Sequence, residues 1–127
     1  NDTVTFNATF SGVNNGAFAG DGLTSTPAAG QLDSDGWKFN GFSNGNTSFG
    51  GSYTSGDYAK GGSSGGVFSG GLYSFEVSPG DSALSVQPTG SDWPPGDMIL
   101  MVVNNTGEDV HSIYVSYDLY INNDQAR

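Results

Sequence analysis

Between Gly96 and Ile121 the chain carries its most sustained apolar pattern, GDMILMVVNNTGEDVHSIYVSYDLYI. In the second half of that stretch Ile113, Val115, Tyr117, Leu119 and Ile121 alternate with Ser112, Tyr114, Ser116, Asp118 and Tyr120. A period of two places successive side chains on opposite faces of a strand. The pattern predicts two long strands joined by Asn-Asn-Thr-Gly-Glu-Asp, one face turned to a core and the other to water or a partner. Thr3 to Phe10 alternates in the same way, Val4, Phe6, Ala8 and Phe10 against Thr3, Thr5, Asn7 and Thr9, and predicts a first strand.

The middle of the chain is read from its punctuation. Ser11 to Gly30 has no period and predicts a long loop, with at most one short strand near Ala17 and Phe18. Asp33 to Gly36 predicts a turn, followed by a strand over Trp37 to Phe42 and another around Thr47 to Tyr53. Gly41 to Gly71 is rich in Gly, Ser, Asn and Thr, yet Phe42, Phe49, Tyr53, Tyr58 and Phe68 recur through it. Aromatics spaced among glycines mark short strands in close approach. Gly71 to Val77 and Ala83 to Gln87 flank Ser78-Pro79-Gly80-Asp81, where Pro and Gly stand at the two corners that a type II turn requires. A rigid loop with Pro88, Trp93, Pro94 and Pro95 then leads into the opening pair. No window shows helical spacing, so the class is all-β, a two-sheet antiparallel sandwich of jelly-roll type.

Composition narrows this reading. At 127 residues the chain is one domain, with a core that rests on eight Phe, six Tyr and two Trp, because the 21 glycines pack nothing sideways. Thirteen acids face three bases, a net charge of −10 that repels nucleic-acid phosphates and anionic membranes. Eleven of the acids are Asp, which favours turns, and such loops also collect hard cations. The absence of Cys removes disulfides and thiolate metal sites. No run is long and apolar enough to span a membrane, and the expected state is a mature secreted chain after signal removal.

From Gln31 onward the segments GQLDSDGWKFNGFSNG, TSGDYAKGGSSGGVFSGGLYSFEV, LSVQPTGSDWPPG and NNTGEDVHSIYVSYDLYINNDQAR resemble a β-sandwich module of large secreted proteins of marine and other environmental bacteria. There it sits beside nuclease, lamin-tail and cell-surface sorting domains. The resemblance covers about three quarters of the chain and implies an extracellular or cell-surface location and a sandwich architecture, with no catalytic activity. In that family further strands follow the Asn-Asp-Gln segment, here Asn123 to Gln125. Two expectations stay open: a complete divergent domain, or the first part of a longer sandwich completed by a second fragment or a neighbouring subunit.

Candidate chemistry is sparse. Gly-x-Ser-x-Gly occurs at Gly41 to Gly45 and at Gly61 to Gly65, but a nucleophile elbow needs a helix after the turn and a distant His and acid. The single histidine, His111, cannot build a His-rich zinc site. No pair of carboxylates stands out as a glycosidase acid and base. Asp33-Ser34-Asp35-Gly36 resembles the start of a calcium loop, since carboxylates two apart can address one ion. It is not an EF-hand, as Asn44 occupies position twelve; a Ca²⁺ site would draw on Asp33, Asp35 and other loop acids such as Asp57, Asp92 or Asp97, and a plain Asp turn is the alternative. On the outer face of the last strand, Tyr114, Ser116, Asp118 and Tyr120, with Trp37 or Trp93, would offer a sugar-stacking platform or a face covered by another subunit. Glycosylation acceptors stand at Asn1, Asn7, Asn46 and Asn104.

Three functions are carried forward. The first is a non-catalytic structural or adhesive building block, a homo-oligomer or partner of a second fragment, that assembles by strand exchange. The second is a carbohydrate-binding module, with calcium, of a secreted enzyme. The third is a hydrolase fragment whose catalytic residues lie elsewhere.

Overall fold

The Pro79-Gly80 corner joins the two longest strands among the described residues. In a computed structural model that describes residues 18–121, β5 (Gly71–Ser78) and β6 (Asp81–Gln87) pair antiparallel. Gly80 sits at φ 80°, the left-handed value the second corner of a type II turn needs. The remaining strands are short: β1 (Leu23–Thr24), β2 (Leu32–Asp33), β3 (Trp37–Asn40), β4 (Gly62–Ser63) and β7 (Asp97–Leu100). They form small sheets of order β1-β2, β3-β7 and β4-β5-β6. The helical content of the described residues is a single 3₁₀ turn, Gly56–Tyr58.

Regular structure among the described residues is thus almost all strand, but its pairing is not uniformly antiparallel. β1 with β2 and β4 with β5 run parallel. These joins are two residues long and lie beside loops, where the glycine-rich chain comes alongside a strand. The expected strand over Thr47 to Tyr53 is reduced to an isolated bridge between Tyr53 and Leu23. Nor is there a strand at Phe18, and the expected first strand, Thr3 to Phe10, lies outside the described residues.

β3 forms within the expected strand Trp37 to Phe42 and alternates, with Trp37 and Phe39 buried and Lys38 and Asn40 half-buried. Its open edge is closed by a buried threonine. The Phe39 N–H donates to Thr47 Oγ1 at 2.8 Å, and the Thr47 N–H donates to the Phe39 carbonyl at 2.9 Å. The core gathers Phe18, Leu23, Leu32, Trp37, Phe39, Phe42, Tyr58 and Leu72, with Tyr53, Leu84, Val86 and Trp93 packed against it. Aromatic rings supply most of this volume. Phe42 lies edge-on to Tyr58 at 5.7 Å and tilted against Trp93 at 5.3 Å, both favoured ring arrangements.

The largest departure from expectation is at the stretch with the strongest pattern. β7 stops at Leu100, and residues 101–121 form no strand and are exposed throughout. The predicted turn is nevertheless built. Asn104 Oδ1 accepts from the Thr106 amide at 3.1 Å and its Nδ2 donates to the Glu108 carbonyl at 2.8 Å, while Gly107 takes φ 79°. A strand needs a neighbour to satisfy its backbone groups, and among the described residues none flanks 109–121.

Candidate functional site

Two features stand apart from ordinary packing. The first is a polar clasp around the Gly41–Gly45 loop. Gly41 takes φ 98°, and a Cβ there would lie 2.4 Å from the Pro95 carbonyl oxygen, so only glycine lets the loop pass so close to the proline loop. The loop is then held from two sides. The Ser43 N–H donates to Asp92 Oδ1 at 2.8 Å and the Ser43 hydroxyl to Asp57 Oδ2 at 2.7 Å. The Asn44 amide donates to the same Asp57 oxygen at 2.9 Å, and Asn44 Oδ1 accepts from the Asp57 amide at 2.9 Å. Lys60 Nζ lies 3.3 Å from Asp57 Oδ1.

Both carboxylates are buried and well supplied with donors. Asp92 also accepts from the Thr89 hydroxyl at 2.9 Å, while its own amide donates to that hydroxyl oxygen at 3.1 Å. The Ser43 N–H holds the Asp92 carboxyl below the usual carboxylate range, against the opposing effect of burial and with help from Thr89. Tyr58 next door is pushed the other way, chiefly by burial and then by the Asp57 charge, and its hydroxyl donates to the Gly45 carbonyl at 2.7 Å. Chemically this is a clasp: the Ser43 hydroxyl proton is committed to Asp57, and among the described residues no imidazole is bonded to it.

The residues singled out for calcium are not brought together. Asp33 Oδ1 accepts from the Asp35 amide at 2.9 Å, closing an Asx turn, and Asp35 is exposed. Asp57 sits in the clasp instead. Among the described residues no three acidic or histidine side chains converge as metal ligands.

The aromatic platform is split as well. Trp37 is a core residue, 8% exposed and stacked on Phe39 at 6.3 Å, so its face is not offered to a surface ligand. Trp93, at φ 65°, is half-buried against Phe42. Tyr114, Asp118 and Tyr120 lie in the open segment, where Tyr114 is 93% exposed. Of the glycosylation acceptors, Asn46 and Asn104 are exposed, though Asn46 Oδ1 accepts from the Gly41 amide and Asn104 builds its turn. Asn1 and Asn7 lie outside the described residues.

The second feature is that segment itself. From Met101 to Ile121 it exposes valines, isoleucines and tyrosines, with Ile113 at 81%, Leu119 at 77% and Ile121 at 83%. A contiguous run of exposed apolar side chains this long is uncommon on the surface of a single chain. Among the described residues no helix is long and apolar enough to cross a membrane. Comparisons with protein-family models, curated proteins and solved structures return no match. The clasp escaped the sequence reading because Ser43, Asp57 and Asp92 are ordinary loop residues, and only the fold brings them together. The segment was visible as a strand pattern, and its exposure was not.

Proposed function

We propose that the chain is a non-catalytic, extracellular building block: a jelly-roll-like β-sandwich that assembles by strand complementation, structural or adhesive in role. One observation carries this reading. The segment with the clearest strand alternation in the sequence is exposed from end to end and has no neighbouring strand among the described residues. Exposed apolar strands template pairing with another chain. The clasp, whose polar groups are spent on one another, fits a structural role, and the resemblance to modules of secreted bacterial proteins supports an extracellular setting. Light scattering on a sizing column tests it. Species heavier than one 13.1 kDa chain are expected, and a strict monomer at all concentrations would refute it.

A second reading is favoured by Tyr114, Ser116, Asp118 and Tyr120, which are all open to solvent and which a strand would set on one face, two phenol rings beside polar groups. Under this reading the chain is a carbohydrate-binding module, with Ca²⁺ at the Asp33–Asp35 turn. Retention on immobilised polysaccharide, lost in Tyr114→Ala and on chelation, would support it; no retention by the intact chain removes it.

A further inference from the structure

We infer that residues 113–121 are the donor strand and that the free edge of β6 in a second copy of this chain is the acceptor. This names the partner for the building-block reading and rests on it.

The acceptor follows from what each edge already holds. β5 is flanked by β6 on one side and on the other by β4, with the Lys60 amide bonded to the Leu72 carbonyl at 3.2 Å. β3 is closed by Thr47 and β7. The outer edge of β7 is only four residues long. β6 offers seven residues with one neighbour, the longest open edge among the described residues. Sheet edges are ordinarily guarded by lysine, proline or a charge. From Ser82 to Gln87 β6 carries none of these.

The two segments also match in length, charge and face. On a chain of net charge −10, surfaces of two copies repel wherever carboxylates meet. The donor holds one acid, Asp118, and β6 one, Asp81, at its start. Leu84 and Val86 point to the core, and the proposed strand turns its apolar face the same way. An antiparallel register with Tyr117 opposite Leu84 does so. Val115 then faces Val86, and on the opposite face, which β5 lines with Tyr73 and Phe75, Ser116 meets Ser85 and Tyr120 meets Asp81. Asp118 falls opposite Ala83, diagonal to Asp81 and not directly across from it. A one-residue slip would move Ile113, Val115, Tyr117 and Leu119 to the opposite face, beside Tyr73 and Phe75 and away from Leu84 and Val86.

Because the chain has no cysteine, a disulfide trap reads this directly. Directly opposed strand residues lie within disulfide reach. Full-length chains carrying Ser116→Cys, mass-tagged, are mixed with untagged chains carrying Ser85→Cys or Ser82→Cys and oxidised gently. The expected result is a tagged–untagged covalent dimer with Ser85→Cys and none with Ser82→Cys, which lies on the other face and three residues off register. Val115→Lys in the donor should abolish both the cross-link and every species heavier than one chain, without lowering the monomer's melting temperature. Assembly that persists while the Ser85→Cys trap stays empty overturns the β6 acceptor and leaves the building-block reading standing. A monomer under all conditions overturns both.

Discussion

Ser43 and Asp92, forty-nine residues apart in the chain, meet through a 2.8 Å bond from a backbone amide to a carboxylate oxygen. That bond ties the glycine-rich middle of the chain to the proline loop. Asp92 is buried, and the amide and hydroxyl donors around it are satisfied by its negative charge.

The pH dependence of stability follows from this. The folded Asp92 carboxyl titrates below its unfolded value, so near pH 4 the unfolded chain binds more protons than the native one. The contribution is complete above about pH 5 and is lost as pH falls through the unfolded and then the folded value. Urea midpoints measured from neutral to acidic pH should fall more steeply for the native chain than for Asp92→Asn. Asp92→Ala, which strands the buried donors, should cost about 1–3 kcal/mol at neutral pH.

Tyr58 gives an independent check on the same corner. Burial and the Asp57 charge raise its phenol, so tyrosinate absorbance should show one of the tyrosines ionising above the ordinary range near pH 10. Tyr58→Phe should remove that component. Because the 2.7 Å bond to the Gly45 carbonyl goes with it, the variant should be less stable by about 0.5–1.5 kcal/mol.

At Gly41 both conformation and space require glycine, with φ 98° and the Pro95 carbonyl 2.4 Å from an added Cβ. Gly41→Ala should lower stability by about 1–3 kcal/mol, the cost of a strained backbone position, as read from a thermal melt. An unchanged melt would mean that the two loops can separate freely.

Burial predicts opposite behaviour for two leucines. Leu72 is fully buried in the core and Leu119 is 77% exposed. Leu72→Ala should cost about 2–5 kcal/mol of monomer stability. Leu119→Ala should stay within about 0.5 kcal/mol of the native monomer while weakening assembly. Denaturant melts and sizing columns on the same two variants separate these effects.

How much of this was legible in the sequence differs from element to element. The β5–β6 hairpin was readable because Pro79-Gly80 is a local turn signal, and β3 because the Asp33–Gly36 turn marks where a strand starts. Thr47 to Tyr53 misled: Thr47 does align with β3, but through its hydroxyl and amide at the single residue Phe39 rather than through a ladder. For the candidate site, Tyr114 and Tyr120 are exposed but on no strand, whereas Trp37 turned inward to the core. Asp57 left the expected calcium set for Lys60, Ser43 and Asn44.

By itself the sequence determined a chain whose regular structure is strand and hardly any helix, with a strongly acidic composition and an aromatic core, together with the positions of its tight turns. These depend on side-chain type and on neighbours a few residues away. The tertiary structure decided which strands pair, including β3 with β7 and the two parallel joins, and which loop carboxylates meet at Ser43. It also decided that the best strand pattern, Ile113 to Ile121, lies open. Alternation specifies which face of a strand is apolar, but backbone hydrogen bonds to a neighbour are what make it a strand, and that neighbour is a matter of where distant segments come together in space.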